Sequence, residues 1–156
     1  MARRRRPEKR THPPDPRYNN ITVSKFVNRL MLSGKKSTAE RVFYSAMEII
    51  QKQSNREPIE VFEQALGMTV PMVEVKSRRV GGATYPIPTE VRADRGLALG
   101  MKWLIQAARS KSGTPMYQRL AQEILDASKG QGAAVKRRED LHKMAESNRA
   151  FAHYKW

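Results

Sequence analysis

The sequence predicts a mainly α-helical fold: six helices in a single domain, a β-hairpin that protrudes between the third and fourth helices, and a basic N-terminal arm. Apolar residues repeat at helical spacing in six segments and alternate at a spacing of two in another. At 156 residues, one domain is the default, and such a chain can fold without metals or disulfides. We expect an arm over residues 1–19, a helical domain over 20–150 with the hairpin at about 72–91, and a tail over 151–156.

Composition defines the arm. Residues 1–19 are rich in arginine and proline and contain almost no apolar side chains. Such a segment cannot bury enough apolar surface to offset the entropy lost on ordering, so we expect a partner to order it. An anionic membrane fits this role poorly, because the prolines between His12 and Pro16 break any amphipathic helix.

Three amphipathic helices are predicted between the arm and the hairpin. The first begins near Thr22 and ends near Gly34, and Pro58 suits the first position of the third. Ser37 and Glu40 have the spacing of a capping box, so we expect the second helix to start there. The apolar stripes comprise Val23, Phe26, Val27, Leu30 and Met31, then Ala39, Val42, Phe43, Ala46, Met47 and Ile50, and then Ile59, Phe62, Ala65 and Leu66.

The period drops to two after the third helix. Val73 and Val75 alternate with charged residues, and Gly81-Gly82 supplies two positions that tolerate positive φ, as a tight hairpin turn requires. Pro86 and Pro88 cannot donate backbone hydrogen bonds on the returning strand. We therefore expect a hairpin that lies at an edge or projects from the domain.

Three further helices are predicted after the hairpin. Thr114 is expected to cap the fifth helix, with Pro115 in its first turn, and Gly130 to end it. The sixth is expected to run from about Ala134 to Ala150. The apolar stripes comprise Leu97, Met101, Leu104, Ile105 and Ala108, then Tyr117, Leu120, Ala121, Ile124 and Leu125, and then Leu141, Met144, Ala145 and Asn148.

The distribution of charge indicates the class of partner. The net charge is +15, with +9 on residues 1–36 and +6 on 76–111 but −3 on 37–75. Clustered cations attract phosphates and release their counterions. In the sixth helix, residues 136–138 are cationic and oppose the helix macrodipole, so an external anion would relieve that conflict. The predicted partner is a polyanion.

Several kinds of catalytic site do not fit the sequence. There is no cysteine, which excludes thiol nucleophiles, disulfides and cysteine metal sites. The run at 34–37 lacks the first glycine of a phosphate loop, and the run at 130–132 lacks the third glycine of a dinucleotide fingerprint. Glu57, Glu60 and Glu63 are typical of a solvated helix face. We predict no enzymatic activity, cofactor, metal or small-molecule substrate.

We expect the chain to remain inside the cell and away from membranes. The arginines at 3–6 are followed by Pro7 rather than by the apolar stretch of an export leader. No run of residues is apolar enough to cross a bilayer.

Basic clusters on at least four separate segments favour a folded RNA over a straight DNA groove. A DNA-bending architectural protein with a basic hairpin arm is the alternative, although such arms often carry an apolar wedge at the tip. An RNA-modifying enzyme would need a cofactor loop or an acid–base set that the sequence does not show. The aromatic residues near cations could stack on unpaired bases or pack in the core; they are Tyr18, Tyr85, Phe151, Tyr154 and Trp156.

Four segments, taken in order, resemble the family of bacterial small-subunit ribosomal protein seven. They are the arm at 1–6, Gly34-Lys35-Lys36, the hairpin run Ser77-Arg78-Arg79-Val80-Gly81-Gly82-Ala83, and the ending over 144–154. The resemblance spans the whole chain, and the element order is that of the family. Gly67-Met68-Thr69 is an unusual choice for the family and leaves the end of the third helix open.

The resemblance implies a cytoplasmic protein of the ribosome that binds the 3′ major domain of small-subunit ribosomal RNA and nucleates assembly of the subunit's head. It also implies that the hairpin and C-terminal helix face the exit-site tRNA and mRNA path, beside ribosomal proteins nine and eleven. The implied ribosomal RNA contacts are Arg3, Arg4, Arg5, Arg6, Lys9, Arg10, Lys25, Lys35, Lys36, Lys76, Arg78, Arg79, Arg92, Arg95, Lys102, Arg109, Lys136, Arg137, Arg138 and Arg149. The implied contacts to the tRNA and mRNA path are Arg78, Arg79, Gly81, Gly82, Tyr154 and Trp156.

Overall fold

The computed structural model describes residues 11–154. The predicted contacts Arg3, Arg4, Arg5, Arg6, Lys9, Arg10 and Trp156 lie outside the described residues. The elements in chain order are α1 (Ile21–Leu30), α2 (Lys36–Ser54), α3 (Pro58–Thr69), β1 (Val73–Val80), β2 (Ala83–Glu90), α4 (Ala93–Ser110), α5 (Met116–Ser128), α6 (Ala133–Ser147) and a C-terminal 3₁₀ helix (Arg149–Tyr154). The predicted fold class is therefore confirmed: residues 11–154 form six α-helices in one domain, with a hairpin between the third and fourth.

The core forms where the apolar stripes of the helices meet. α5 packs against α2, α3 and α4, and its Leu120 and Ile124 are fully buried. Phe26 of α1 lies edge-on to Phe62 of α3, with 5.1 Å between ring centroids, and Phe43 of α2 lies 5.4 Å from the same ring. Edge-to-face pairs stabilise by about 0.5–1.5 kcal/mol beyond the burial of their area. These rings join the first three helices into one rigid unit.

Two of the predicted helix starts are wrong: α2 begins two residues earlier than expected and α5 one residue later. Ser33 and Gly34 take positive φ angles of 51° and 74°, and the Lys35 N–H donates to the Leu32 carbonyl, so the turn closes before Ser37. Lys35 is the N-cap of α2, no side chain caps it, and the capping box does not form. The Glu40 carboxylate instead lies 3.9 Å from Lys36 Nζ, one helical turn away.

Pro115 rather than Thr114 is the N-cap of α5, because the proline has an extended ψ of 151° and the helix begins at Met116. The first helix is also shorter than expected. It ends at Leu30 rather than near Gly34, since Met31 leaves the helical region with a ψ of 140°.

The end of the third helix, which the sequence left open, is at Thr69, so Gly67 and Met68 are helical. The next connection fits closely against α4. A Cβ atom added at Gly96 would lie 3.0 Å from Val70 Cγ1 and 3.2 Å from the Pro71 carbonyl oxygen. The absence of a side chain at Gly96 lets the α3–β1 connection approach α4, and this approach sets where the hairpin leaves the domain.

The hairpin has the predicted strands and turn. β1 and β2 are antiparallel, Val80 pairs with Ala83, and the two turn residues Gly81 and Gly82 have φ angles of 56° and 91°. Only glycine adopts such angles readily, and they match the right-handed twist of the strands. Because the sheet has two strands, both are edges. The base of the hairpin is anchored to the domain by Ile87, which is fully buried, and by contacts with α6.

His142 of α6 also holds the base of the hairpin. Its Nε2 accepts a hydrogen bond from the Met72 N–H at 3.2 Å, so the imidazole is neutral at this atom. Burial lowers the pKa of His142, and the charge of Arg138 lowers it further.

The last helix is shorter than predicted. α6 ends at Ser147 rather than near Ala150, because the side chains of Ser147 and Asn148 both donate to the Met144 carbonyl, at 2.9 and 2.7 Å. The chain continues as the 3₁₀ helix over 149–154.

A buried carboxylate from α5 binds the start of α6. Glu123 is fully buried, and its Oε1 accepts from the Ala134 N–H at 3.0 Å. Its Oε2 lies 2.8 Å from Lys111 Nζ, an ion pair rather than an aligned hydrogen bond. A carboxylate at a helix N-terminus complements the macrodipole. The carboxylate of Glu123 therefore offsets part of the unfavourable interaction between the cations at 136–138 and the helix macrodipole.

Residues 15–19, which the sequence analysis includes in the arm, form a turn packed on α2. The Asp15 carboxylate is 4% exposed and accepts from the N–H groups of Arg17 and Tyr18, each at 3.1 Å. It also accepts from the Tyr44 hydroxyl at 2.6 Å. Burial and this hydrogen bond raise the pKa of Tyr44. Asn20 then caps α1, since its side-chain oxygen accepts from the Thr22 N–H at 2.7 Å.

Candidate nucleic-acid interface

The fourteen predicted RNA contacts in the described region are at the surface. Thirteen are exposed and Arg138 is half-buried. Within residues 11–154, eight of their side chains form neither an ion pair nor a hydrogen bond: Lys25, Lys35, Arg78, Arg79, Arg92, Lys102, Lys136 and Arg149. These eight come from α1, the α1–α2 turn, β1, the β2–α4 connection, α4, α6 and the 3₁₀ helix. They are available to an external anion.

The remaining predicted contacts are partly engaged within the protein. Lys76 Nζ and Arg95 Nε lie 3.0 and 3.5 Å from the two carboxylate oxygens of Glu74. Burial alone would raise the pKa of Glu74, but the hydrogen bond and charge of Lys76, together with Arg95, outweigh it and leave the pKa below its usual range. Arg138 lies 3.6 Å from Glu139. One partner of each pair is well exposed to solvent, so these pairs are weak and can exchange for phosphate.

Two predicted arginines form hydrogen bonds to other parts of the protein. Arg109 Nη2 donates to the Leu30 carbonyl at 3.0 Å, at the end of α1. Arg137 Nη1 donates to Gln106 Oε1 at 3.3 Å, which joins α6 to α4. Each arginine retains further N–H donors, because a guanidinium has five.

A basic groove of about 800 Å³ lies between α1 and the start of α4. It brings together Lys25, Arg29 and Arg95 with His12 from the N-terminal segment. Sequence reasoning missed Arg29, whose Nη1 donates to the Ala98 carbonyl at 3.0 Å. The sequence could have indicated Arg29, because it lies outside the apolar stripe of the first helix and is therefore expected to be exposed. Asp94 also lines the groove, so the three cations outnumber one acid and leave a net positive surface that attracts phosphate.

The tip of the hairpin carries Arg78 and Arg79, which lie three and two residues before the glycine turn. Arg78 is paired with Tyr85 and Arg79 with Thr84. Because successive side chains of a strand point to opposite faces, the two arginines serve different faces of the hairpin. The glycines at the tip carry no side chain, so an RNA backbone can approach the peptide closely.

The aromatic residues near the hairpin pack with one another. The Tyr85 ring lies 5.3 Å from that of Phe151 and 5.4 Å from that of Tyr154, the latter stacked at 24°. His153 lies 4.0 Å from the Tyr154 ring. All three rings of the cluster are half-buried, and together they attach the 3₁₀ helix to β2. Tyr18 packs on Tyr44 instead, at 6.3 Å.

The glutamates at 57, 60 and 63 do not form a joint site. Glu63 accepts from Asn20 Nδ2 at 2.9 Å, and Glu60 lies 4.0 Å from Arg56. In the part of the chain that the structure describes, no group of three or more histidine, cysteine or acidic residues could hold a metal ion. No helix within residues 11–154 is long and apolar enough to span a membrane.

A basic helical protein whose unpaired cations lie on several separate elements belongs to the class of proteins that bind a folded polyanion. Comparison with known proteins makes this class specific. The family model described as ribosomal protein S7p/S5e matches residues 2–149. The chain is 56% identical to the small ribosomal subunit protein uS7 of Sphingopyxis alaskensis and to that of Dehalococcoides mccartyi, over 156 residues and the whole of each chain. It is 54% identical to that of Methylobacterium radiotolerans over the same span.

The chain therefore belongs to the ribosomal protein S7p/S5e family, which confirms the resemblance drawn from the sequence. Membership in this family also confirms the predicted localisation, in the cytoplasm as part of the small ribosomal subunit.

Proposed function

We propose that this protein binds the 3′ major domain of small-subunit ribosomal RNA directly and nucleates assembly of the subunit's head. The observation that carries the proposal is the group of eight exposed cations that have no partner within residues 11–154, spread over separate elements of one domain. Family membership makes ribosomal RNA the natural polyanion.

The mechanism is neutralisation of phosphate charge by a rigid scaffold. RNA segments repel one another, and each cationic face of the protein holds one segment while releasing its counterions. The aromatic core formed by α1, α2 and α3 keeps those faces at fixed separations. No bond is made or broken in this mechanism, and the absence of enzymatic activity stays a prediction.

The hairpin and the C-terminal residues form the second part of the proposal. Arg78, Arg79, Gly81 and Gly82 would contact the exit-site tRNA and the mRNA path, with Tyr154 beside them because its ring stacks on Tyr85 of β2. Ribosomal proteins nine and eleven are the proposed neighbours. The division into an arm over 1–19, a domain over 20–150 and a tail over 151–156 stays a prediction.

The salt dependence of RNA binding tests the first part. Binding of a 3′ major domain transcript should weaken steeply with salt, and K25Q/K35Q should lower the logarithmic slope by about 1.4 to 1.8, since each phosphate contact contributes about 0.7 to 0.9. The control R41Q/K52Q removes two exposed charges from α2, within the segment of net negative charge. A salt-insensitive complex, or equal slopes for the two variants, would contradict the proposal.

The DNA-bending alternative gains no support from the hairpin, whose tip is Gly81-Gly82 rather than an apolar wedge. The same binding assay with duplex DNA in place of the transcript separates the two functions. Equal or tighter binding to the duplex would favour the alternative.

A further inference from the structure

A second concave surface, apart from the basic groove, lies between the α1–α2 turn and the start of α5. This cleft has a volume of about 480 Å³. Its floor is apolar and is formed by Leu30, Ala39, Val42 and Met116, and Leu32 also lines the cleft. The volume falls within the range of about 300–1,000 Å³ that small-ligand sites usually have.

Leu32 at the mouth of the cleft is presented to solvent by a well-defined turn. Its side chain is 63% exposed. The Leu32 carbonyl accepts from the Lys35 N–H at 3.0 Å, and Ser33 and Gly34 between them both have positive φ angles. The exposure therefore comes from a specific backbone conformation, and it leaves an apolar contact surface beside the cleft.

Three cations border the cleft: Lys35, Arg109 and Arg119. Arg109 is oriented by its hydrogen bond to the Leu30 carbonyl, and Arg119 Nη1 donates to the Lys111 carbonyl. Arg119 Nε is buried and has no hydrogen-bond partner among the described residues. The residues that line the cleft include no carboxylate. Two oriented guanidinium groups therefore stand beside an apolar floor without a neutralising acid.

This combination matches the chemistry of an unpaired nucleotide. A nucleobase has flat apolar faces that stack on guanidinium planes and aliphatic surfaces, and its phosphate seeks cations. An acidic peptide would also be attracted by the cations. RNA is favoured because the protein carries a net charge of +15 and belongs to a ribosomal protein family.

We infer that the cleft binds the base of one unpaired nucleotide, with its phosphate on Lys35 and Arg109. The inference rests on the proposed function, because ribosomal RNA supplies the nucleotide. This contact would recognise an unpaired base, whereas the other proposed contacts neutralise phosphate charge.

Filling the cleft tests the inference. Thr38 is exposed and lines the cleft, whereas the neighbouring Ser37 is exposed and does not. T38W should weaken binding of the 3′ major domain transcript roughly tenfold, the effect of losing one stacked base. One unpaired nucleotide that the wild type protects from base-modifying reagents should become reactive. S37W, the matched control, should leave both affinity and protection unchanged.

A second pair of variants guards against a folding defect in T38W. L32A removes an exposed apolar side chain at the cleft, and M72A removes one that is 78% exposed elsewhere. L32A should weaken binding several-fold and deprotect the same nucleotide, while M72A should not. Since the chain has no cysteine, S37C, beside the cleft but not in its lining, can carry a single tethered iron chelate, and its hydroxyl radicals should cleave the RNA around that nucleotide.

The outcomes separate this inference from the proposed function. If the wild-type protein does not bind the transcript, the proposed function fails. If it binds, but T38W and L32A match their controls and no single nucleotide is deprotected, only the inference fails. Weaker binding without deprotection would also overturn the inference, because the cleft would then hold something other than a base.

Discussion

Replacing Glu123 by alanine tests whether one buried carboxylate holds α6 to the rest of the domain. The change leaves the buried Ala134 N–H without its acceptor, which costs about 1–3 kcal/mol. It also removes one of the two carboxylates beside Lys111. Because Asp126 remains 3.7 Å from Lys111 Nζ and the Lys111 side chain is 37% exposed, the further loss is at most about 1 kcal/mol. We expect E123A to lower the free energy of unfolding by about 1–4 kcal/mol.

Two further variants separate the hydrogen bond from the charge. E123Q keeps an oxygen at the position of the acceptor and removes only the charge, so it should cost about 1 kcal/mol. E139Q removes an exposed carboxylate from α6 itself, 3.6 Å from Arg138, and should change stability by less than about 0.5 kcal/mol.

Urea denaturation followed by circular dichroism measures all three variants. The midpoint should shift without a change in the slope, because the surface exposed on unfolding stays the same. If E123A costs no more than E139Q, the carboxylate does not support α6 and the reasoning is refuted.

Three other predictions follow from the packing around the hairpin. G96A should lower the free energy of unfolding, measured by urea denaturation, by about 1–3 kcal/mol, because its Cβ meets the α3–β1 connection. G67A, in open space on α3, should raise it by up to about 1 kcal/mol. The reverse order would contradict the close approach at Gly96. The folded state lowers the pKa of His142 below 6.5, so the free energy of unfolding should be constant above pH 6.5 and fall as the pH drops through the folded-state pKa. The fall should be smaller in H142Q. Equal profiles of melting temperature against pH for the two proteins would argue against this. Small subunits assembled with R78Q/R79Q should bind exit-site tRNA less tightly in filter-binding assays, because both exposed cations are lost. The isolated variant should keep the wild-type melting temperature. Unchanged tRNA binding would contradict the proposed contact between the hairpin and the tRNA.

The helices and the hairpin could be predicted because their signals are local. An apolar stripe such as that of Phe26 and Leu30 records which side of a helix meets the core, whatever the partner helix is. Likewise, Gly81-Gly82 specifies a two-residue turn from the φ angles that it permits. Exposed cations were also predictable, since charged side chains are rarely buried.

The helix starts and the details of the interface could not be predicted, because they depend on backbone angles and distant contacts. The position of the N-cap of α2 follows from the angles at Ser33 and Gly34 in the preceding turn. Glu123 supports α6 from 11 residues away along the chain, and no spacing rule connects it with Ala134. The cleft beside Leu32 likewise exists only after α1, α2 and α5 have packed.

The ring cluster of Tyr85, Phe151 and Tyr154 has a consequence for how the protein matures. Residues 151–154 are synthesised after β2 and after α4, α5 and α6, so β2 lacks these packing partners until all three helices have been made. The hairpin can pair its strands early, but it gains these contacts only once residues 151–154 fold back onto it. Truncated products of premature termination would therefore keep the helical core and lose the correct presentation of the hairpin.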